Sequence, residues 1–484
     1  MEVGGVHLNR IDNNLWEIPV TGRMNVPGRI YISEEMIKKQ LENDEALKQV
    51  VNVACLPGIQ KYSLAMPDIH WGYGFPIGGV AATDLDEGVI SPGGVGYDIN
   101  CGVRLAATNL ELNDIKNKIP KLIENLFKTI PTGVGSSGAI RKLSVKEMKK
   151  ILVEGSYWAL ENGYATDDDI LFTEENGKLA EANPDAVSER AIERGWDEVG
   201  TLGSGNHFLE IDVVETIYDE TAASAFGLFK GQIVIQIHTG SRGLGYQVCD
   251  DYLKLLLQAE KKFNFNLPDK QLACAPIKSK EGQDYLGAMK AAANFAWNNR
   301  QVIMHLAKQI ILDTFGGENS TIAFKLVYDV AHNIAKIEEH SINGKAKKVC
   351  VHRKGATRAF AAGDENIPSK YKTVGQPVLI PGDMGRYSFV TIGTLDAMEN
   401  TFGSSCHGAG RLQSRTKALK NAKGRNLFNE MQQKGIVIRA KGIKTIAEEM
   451  PDAYKDVSDV VNVMHNSGIS LKVVKLKPVG VIKG

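Results

Sequence analysis

Residues 91–104 (SPGGVGYDINCGVR) combine four glycines with two groups that can ligate a metal, the Asp98 carboxylate and the Cys101 thiol. Glycine-rich backbone can turn sharply or let a ligand approach closely, because glycine takes positive φ without a steric penalty. Asp98 and Cys101 are three positions apart, so one helical turn or a tight loop directs both side chains at one point. Taken alone, this stretch has two interpretations: a metal site, or a turn and a strand in which Cys101 is a small buried side chain.

Three histidines favour the metal site, because each lies where an apolar run meets a loop. His207 precedes FLEIDVVE, whereas His238 and His332 end the runs IVIQIH and LVYDVAH. Strand ends are where open α/β sheets place ligand groups. Imidazoles with one carboxylate and one thiolate suit Mn²⁺, Co²⁺ or Zn²⁺ better than an ion held by oxygen alone. Five ligands exceed a single tetrahedral site, so two ions that share the Cys101 sulfur are one arrangement, and two-metal sites commonly perform phosphoryl chemistry.

His407 is a candidate for covalent chemistry. It lies between Cys406 and a Gly-Ala-Gly turn that leads to Arg411. Backbone N–H groups and a guanidinium beside an imidazole suit a phosphoryl group that is attached to the ring nitrogen or passes it. We interpret Cys406 as a packing residue, and His305, inside a long helical stretch, as an interior or surface histidine rather than a ligand. The sequence has no G-x-x-x-x-G-K-[ST] and no complete G-x-G-x-x-G, so neither a P-loop nor a Rossmann turn binds a nucleotide.

The charge of the chain is balanced, with 57 basic and 57 acidic side chains, so any site for a polyanion must be local. Residues 345–358 and 411–425 are two such local features, because each contains several lysines and arginines and no acid. Each run is either a phosphate-binding surface or an ordinary solvated face. The acidic segment 167–181 lacks the spacing of a calcium-binding loop and is predicted to be a solvated connection.

A scaffold of strands and helices must position these residues. Apolar runs broken by glycine and proline predict strands, and helical spacing of apolar residues predicts helices, one opened by Ser33 and one closed by Gly316 and Gly317. A helical piece follows Pro451, and the tail VVKLKPVGVIKG reads as a strand. The expected fold class is therefore mixed α/β (α+β). The predicted helices cover residues 33–51, 112–129, 144–162 and 285–315.

The size and composition of the chain set wider limits. At 484 residues with 43% apolar content, it can bury a large core and form one elaborate domain or two tightly joined ones. Six cysteines without C-x-x-C spacing argue against a zinc ribbon or a disulfide scaffold and fit a reducing compartment. Neither a signal peptide nor a run of about 18 apolar residues occurs, which predicts a soluble, cytoplasmic protein without membrane association.

Nine motifs, in this order, resemble those of the RtcB family of tRNA-splicing and RNA-repair ligases. They are MPDIHWGYGFPIGG, SPGGVGYDINCGVR, GSGNHFLE, IHTGSRGLG, AHNIA, HRKGATRA, PGDMG, SSCHGAGR and PVGVIKG. The resemblance is strongest over residues 57–484, and nine ordered motifs are far more specific than any one of them. It implies a single compact RtcB-type domain over residues 1–484, in which strands carry the metal-ligand loops and helices lie at the periphery.

The resemblance implies a GTP- and Mn²⁺-dependent enzyme that joins RNA ends with a 3′-phosphate or 2′,3′-cyclic phosphate to 5′-hydroxyl ends, in tRNA splicing or RNA repair. His407 would take GMP from GTP and pass it to the RNA 3′-phosphate, and attack by the 5′-hydroxyl would then expel GMP. An archease-type activating protein assists some relatives and is a possible partner here besides RNA. Two rival functions stay open: a two-metal phosphoesterase that only hydrolyses RNA phosphate ends, and an RNA-binding module that has lost catalysis.

The site residues follow from the resemblance motif by motif. It implies two Mn²⁺ ions that share Cys101 and are held by Asp98, Cys101, His207, His238 and His332. It implies guanylate contacts from Asn206, His207, Phe208, Leu209, Glu210, His332, Asn333, Pro381, Gly382, Asp383, Met384, Ser388, His407, Gly408, Ala409, Gly410, Tyr454 and Lys483, with Tyr454 stacked near the guanine.

Four further positions carry weaker expectations. Arg242 and Arg411 are candidates for contacts to RNA or phosphate. His70 and His352 are expected near the site without binding the metal. Asp383 stands where some relatives carry serine; because an acid beside the triphosphate would repel it, we expect Asp383 to face the guanine edge, whose N–H groups need acceptors.

Overall fold

The computed structural model describes residues 1–41, 44–316 and 321–484, without the side chains of residues 259–261, and its largest sheet, sheet A, has eight strands. Neighbouring strands are antiparallel except for the last pair given below. The spatial order is Phe324–Ala331, Gly102–Glu111, Gln232–Thr239, Phe208–Ile217, Ser470–Lys483, Ser388–Gly393 and Pro377–Ile380, with Val437–Ala440 pairing in parallel to Ser470–Lys483.

A second sheet, sheet B, has seven strands. Their order is Asn333–Ile342, Lys345–Lys354, Ile77–Asp84, Ile59–His70, Gly28–Tyr31, Leu15–Ile18 and Asn9–Arg10. Only His332 separates a strand of sheet A from a strand of sheet B, so the chain passes directly from one sheet to the other at this residue. Three short pairs complete the strands: Glu2–Val3 with Val6–His7, Val89–Ile90 with Ala275–Pro276, and Ala356–Arg358 with Ser404–Cys406.

Helices surround and separate the sheets. The longest, Lys280–Phe315, is buried along most of its length, and apolar side chains from it and from Ile119–Thr129 pack against one face of sheet A. The remaining helices are Glu34–Gln40, Ala46–Val53, Leu112–Ile115, Val145–Glu154, Ser156–Glu161, Asp167–Leu171, Glu189–Gly195, Glu220–Phe226, Arg242–Phe263, Leu395–Asn400, Arg415–Asn421, Leu427–Gln433, Ile443–Glu448 and Val457–Asn466. The predicted mixed fold is confirmed, although its longest helix is central rather than peripheral.

Three predicted helices are interrupted, each by a local feature. The helix opened by Ser33 ends at Gln40, and Asp44 then accepts the Ala46 N–H at 2.8 Å and starts a second helix. Pro120 cannot donate a backbone hydrogen bond and lies in the first turn of a new helix, which divides the 112–129 stretch. Gly155, at φ 55° and ψ −130°, divides the 144–162 stretch.

The other two predictions hold with small changes. The long helix begins at Lys280 instead of residue 285, because the Ser279 side chain accepts the Gly282 N–H and caps it. Gly316 follows its last turn, and Gly317 lies outside the described residues. The helix after Pro451 and the final strand are both present. Among the described residues, none of the helices combines the length and the apolarity needed to cross a bilayer.

The prediction of a solvated acidic connection over residues 167–181 is wrong at its centre. Glu174 is 1% exposed and accepts a hydrogen bond from the Lys336 ammonium at 2.5 Å. Glu175 accepts one from the Arg358 guanidinium at 2.7 Å. The cations come from distant strands, so local spacing could not reveal that both carboxylates are paired, or that Glu174 is buried, whereas the Glu175 side chain stays 30% exposed.

Candidate active site and metal centre

One edge of sheet A gathers the predicted metal ligands. Phe208–Ile217 and Gly102–Glu111 begin at this edge, where Gln232–Thr239 and Phe324–Ala331 end. Because neighbouring strands are antiparallel, each strand start lies beside a strand end, so residues before two strands meet residues at the ends of two others. The gathered side chains are those of Cys101, His207, His238 and His332. Sequence reasoning expected ligands at the ends of an open α/β sheet; the antiparallel register brings them together instead.

The ligand atoms form two groups of three that share Cys101: Cys101, His238 and His332, and Asp98, Cys101 and His207, with atoms within 4.8 Å of one another in each group. The Cys101 sulfur lies 3.3 Å from His238 Nε2 and 3.5 Å from His207 Nε2. His207 Nε2 is 2.8 Å from an Asp98 carboxylate oxygen. The predicted five-residue set therefore converges, and its sulfur lies where the proposed pair of ions would share it.

Burial and neighbouring charges shift the pKa values of four groups in this cluster. It lowers the pKa of His238 and of His332 well below the usual value, which keeps both imidazoles neutral. Burial and the Asp98 carboxylate raise the pKa of the Cys101 thiol well above its usual value. Burial also acts to raise the pKa of Asp98, but the adjacent His207 outweighs it and the pKa is lowered. A divalent cation would reverse the balance at the thiol, because thiolate is the form that ligates metal.

The orientation of the imidazoles fits a metal centre. His207 Nδ1 lies 3.1 Å from the Leu202 carbonyl oxygen, so an N–H there donates to it and leaves the Nε2 lone pair for a ligand. His238 Nε2 and His332 Nε2 face each other at 3.3 Å. A cation between such atoms satisfies lone pairs that would otherwise oppose each other, so the donor set fits Mn²⁺ or another borderline divalent ion.

The loop that carries Asp98 and Cys101 is held from the long buried helix. The Cys101 N–H donates to the Asp98 carbonyl at 2.9 Å, which closes a tight turn. Arg300, itself fully buried, donates to the Asn100 carbonyl at 2.7 Å and to the Thr239 carbonyl at 2.9 Å. The rest of its guanidinium binds the Asp329 carboxylate. One side chain thereby fixes three of the segments that end in metal ligands.

His407 lies beside this cluster, with its ring centroid 4.8 Å from that of His332. Its Nδ1 is 2.5 Å from Asp68 Oδ2, and the same oxygen accepts the backbone N–H groups of His407 and Gly408 at 3.0 and 3.3 Å. The fully buried Asp68 carboxylate favours the tautomer with the proton on Nδ1. Nε2 is then the unprotonated ring nitrogen, as a nucleophile requires.

A cavity of about 230 Å³ lies between the metal-ligand cluster and His407. Most of the predicted guanylate residues line it. The lining residues are His70, Ile77, Asp98, Cys101, Asn206, Phe208, His238, His332, Asn333, Gly355, Pro381, Gly382, Asp383, Met384, His407, Gly408, Ala409, Gly410, Arg411, Arg415, Tyr454 and Lys483.

Four predicted residues lie outside this lining. The Leu209 side chain packs into the core on the opposite face of sheet A, because successive residues of a strand alternate between faces. Glu210 is buried on the cavity face, where burial raises its pKa. Ser388 accepts the Gly382 N–H at 3.0 Å and so supports the loop. His207 lines a neighbouring cleft.

A buried carboxylate, Glu449, organises a further part of the cavity lining. It accepts hydrogen bonds from the Arg411 guanidinium at 3.1 Å and from the Tyr454 hydroxyl. Lys483 lies 4.0 Å from the same carboxylate and donates to the Asn206 carbonyl at 3.3 Å. Two cations and a phenol thus hold one another in place around the predicted guanine position.

Asp383 keeps one acceptor atom available. Its Oδ1 accepts the Gly385 N–H at 3.0 Å, whereas Oδ2 accepts no hydrogen bond from the described residues, although the Arg386 guanidinium lies 3.3 Å away. Burial raises the pKa of Asp383 to about 6. A ligand N–H that reached this oxygen would add a hydrogen bond to its contact with Arg386, which is consistent with the expectation that this acid faces a base edge.

The family model for tRNA-splicing ligase RtcB matches residues 49–484. The chain belongs to the RtcB family. Proteins named tRNA-splicing ligase RtcB from Thermococcus kodakarensis and Methanococcus maripaludis are both 53% identical to it, over 480 and 479 residues, which cover 99% of each chain. That of Archaeoglobus fulgidus is 51% identical over 486 residues, which cover both chains completely. The predicted family and the predicted class of enzyme, an RNA ligase, are confirmed.

Sequence reasoning on this RtcB chain missed the partners of the cavity residues. Asp68 lies inside a quoted motif, but nothing local shows that it meets His407 from 339 positions away. Lys455 donates to the Pro67 and Ile69 carbonyls at 3.1 and 2.6 Å and so holds the strand that carries Asp68. Glu449 had no motif at all. A histidine nucleophile needs an acceptor for its second nitrogen, and that requirement is the one signal from which an acid beside His407 could have been predicted.

The two basic runs of the RtcB chain differ in exposure. In residues 345–358, Arg353 is buried and pairs with Glu338 at 2.6 Å. Lys354 and Arg358 are buried as well, so these three cations do not contribute to the protein surface. In residues 411–425, Arg411 pairs with Glu449, but the Arg415 side chain is 58% exposed at the mouth of the cavity. The expectation of two positive surfaces is therefore wrong for part of the first run, where long side chains serve internal carboxylates.

His70, His305, His352 and Cys406 lie outside the two ligand groups. His352 accepts the Ser91 N–H at 3.2 Å behind the ligand loop and does not line the cavity. His70 lines the cavity, but it is absent from the two ligand groups. His305 packs against Tyr164, and Cys406 is fully buried in the core. Arg242 lines the neighbouring cleft rather than the cavity.

Proposed function

We propose that this protein is a GTP- and Mn²⁺-dependent RNA ligase that joins 3′-phosphate or 2′,3′-cyclic phosphate ends to 5′-hydroxyl ends. One observation carries the proposal: His407, held by Asp68, shares a cavity with two three-residue ligand groups that have a common sulfur. A phosphoesterase needs the ligand groups only. The fixed imidazole beside them favours a covalent nucleotide intermediate.

In the proposed reaction, His407 Nε2 attacks the α-phosphorus of GTP, the bond to the pyrophosphate oxygen breaks, and a histidine–GMP bond forms. An oxygen of the RNA 3′-phosphate then attacks the same phosphorus and breaks the P–N bond, which gives an RNA-3′-pp-5′-G end. The 5′-hydroxyl oxygen finally attacks the RNA phosphorus, loses its proton and expels GMP. Water first opens a cyclic phosphate. The second step gives the RNA 3′-phosphate a good leaving group, GMP, which the weak 5′-hydroxyl nucleophile needs for the last step.

Asp98, Cys101, His207, His238 and His332 would hold the proposed pair of ions. Mn²⁺ supplies charge neutralisation for the phosphate oxygens that crowd together at this point. The protein itself does the remaining work: Asp68 keeps the proton on His407 Nδ1, and the turn at Gly408 presents the imidazole to the cavity.

Guanosine specificity is proposed to come from the Glu449 wall and the 381–384 loop. Tyr454 offers a ring for stacking, Lys483 offers a cation, and Asp383 Oδ2 offers an acceptor for guanine N–H groups. RNA ends in tRNA splicing or RNA repair are the proposed substrates. An archease-type activating protein is a proposed partner, which carries over from the resemblance alone.

Intact-mass measurement after incubation with GTP and Mn²⁺ tests the proposal. We expect a mass increase of one GMP, lost in His407→Ala and retained in His305→Ala, since His305 lies outside the site. Joining of a 3′-phosphate RNA to a 5′-hydroxyl RNA should follow the same pattern. Release of phosphate from RNA ends without any adduct would establish the phosphoesterase instead, and RNA binding with neither activity would establish the binding module.

A further inference from the structure

A second cleft, of about 590 Å³, adjoins the metal-ligand cluster on the side away from His407. It shares Asp98, Asn206 and Arg415 with the cavity, and His207 and Arg242 also line it. The cluster therefore lies between two openings. If the cavity holds the guanylate, an RNA end has the cleft as its approach to the ions.

Three aromatic rings and a guanidinium line up beside this cleft. Tyr97, which directly precedes the proposed metal ligand Asp98, stacks on Tyr246 with ring centroids 4.8 Å apart and an interplanar angle of 26°. Tyr73 supports Tyr97 edge-on at 5.8 Å. The Arg194 guanidinium carbon lies 5.1 Å from the Tyr246 ring centroid. Tyr246 is nonetheless 47% exposed.

The charges of the cleft do not by themselves explain attraction of a polyanion. Arg194, Arg242 and Arg415 line it, but so do four acids, Asp98, Glu193, Asp197 and Glu198. Glu198 serves the fold, because it accepts the Gly243 N–H at 2.7 Å. Because the lining has no excess of positive charge, binding of RNA here needs a contribution that does not depend on net charge, and base stacking provides one.

We propose that Tyr246 and Arg194 form a stacking surface for a nucleobase at or next to the reacting end of the RNA. The base adds a layer to the Tyr97–Tyr246–Arg194 stack, and its phosphates face Arg242 and Arg415. Aromatic rings and guanidinium planes stack every base, so this surface accepts RNA ends without regard to sequence. Because Tyr97 adjoins Asp98, the stacked base fixes the position of the end relative to the ions. The proposal rests on the RNA ligase function proposed above.

The test measures equilibrium binding of two labelled RNAs without GTP, one with a 3′-phosphate end and one with a 5′-hydroxyl end. Each is used intact and with an abasic residue at the first or second position from that end. The proteins compared are the unmutated chain, Tyr246→Ala, Tyr246→Phe and Tyr218→Ala. Tyr218 is a matched control, since it is 48% exposed and lies outside the cleft. Thermal denaturation checks that each variant is folded.

We expect Tyr246→Ala to bind the intact form of at least one RNA about tenfold more weakly, with Tyr246→Phe and Tyr218→Ala unaffected. The unmutated protein should lose a similar factor when the stacked base is removed, and Tyr246→Ala should lose nothing further. Which RNA responds identifies the end that the cleft holds. If Tyr246→Ala bound every intact RNA as tightly as the unmutated protein does, the proposal would be overturned. So would an equal loss for intact and abasic RNA, which indicates a merely structural role.

The GMP-adduct measurement keeps this result separate from the ligase proposal. Absence of an adduct in the unmutated protein would refute the ligase function, whatever the binding data show. An adduct together with RNA binding that is indifferent to Tyr246 would refute only the stacking surface.

Discussion

The two walls of the cavity are built on opposite principles. The metal-ligand wall consists of three imidazoles, the Cys101 thiol and the Asp98 carboxylate, and its neighbouring donor atoms lie 2.8–3.5 Å apart. The second wall, around His407 and Glu449, pairs its groups with buried carboxylates: His407 with Asp68, and Arg411 with Glu449. A divalent cation would satisfy the converging donors of the first wall, whereas the second wall already contains its counter-charges.

This difference teaches which parts of the site depend on a ligand. Donors aimed at one another without a cation are unfavourable, so metal binding should contribute to folding stability at the first wall. Ion pairs inside the second wall hold their geometry without GTP. The two walls should therefore respond differently to the same kind of substitution.

The largest effect is expected for Cys101→Ala, because both ligand groups lose a member. Adduct formation should fall by about a thousandfold or more, which corresponds to the several kcal/mol that metal ions contribute to phosphoryl chemistry. Cys350→Ala is a matched control, since that cysteine is equally buried and lies outside the groups. The rate of adduct formation is measured by quench-flow or with a radiolabel. Full activity of Cys101→Ala would contradict the assignment of Cys101 to both ligand groups.

Asp68→Asn should slow adduct formation about a hundredfold or more while Mn²⁺ affinity is kept. An asparagine amide can donate to Nδ1 and so favour the tautomer whose Nε2 carries the proton and cannot attack. Single-turnover rates and Mn²⁺ titration on the same variant test the separation of the walls. A parallel loss of Mn²⁺ affinity would show that the walls are not independent.

Mn²⁺ at a hundredfold excess over its dissociation constant should raise the free energy of unfolding by about 3 kcal/mol. This increase in the free energy of unfolding should vanish in Cys101→Ala and persist in Asp68→Asn, because the proposed ligands of the ion belong to the first wall only. Chemical denaturation with and without the ion, with a chelator as control, provides the measurement. If Mn²⁺ did not stabilise the unmutated protein, the assignment of the first wall as a metal centre would be contradicted.

The smallest effect is expected for Asp383→Asn, at about tenfold weaker binding of GMP. The carboxylate form accepts guanine N–H groups, so the affinity of the unmutated protein should fall as the pH drops through about 6, the pKa of Asp383, and stay constant above it. The asparagine variant should lack this dependence. Calorimetric titration with GMP, and with IMP as the analogue without the 2-amino group, tests whether Asp383 faces the base.

The five candidate ligands could be picked out in the sequence because each lies within a short motif beside a strand, and antiparallel pairing then had few ways to bring their side chains together. The starts of helices could be predicted where Ser33 or Ser144 caps the helix. The breaks at Pro120 and Gly155 were missed, because the apolar periodicity continues across them.

Long-range pairing was not readable. Asp68, Glu174 and Glu449 each meet their partners through the fold, and a carboxylate beside a distant arginine leaves no local spacing. The same limit explains why Arg353 and Arg358 looked like surface charges. Burial turns a basic run from a binding surface into internal support, and composition does not report burial.

Arg300 helps to position side chains that it does not contact. It touches none of the five donor atoms, yet it ties down the turn after Asp98, the segment after His238 and the strand that leads to His332. The spacing of the proposed metal ligands is thus set partly by a helix that contributes none of them. A chain with a substitution at Arg300 would keep all five donor side chains but would hold them at altered distances from one another. A relative that has all five residues therefore does not necessarily have a working metal centre.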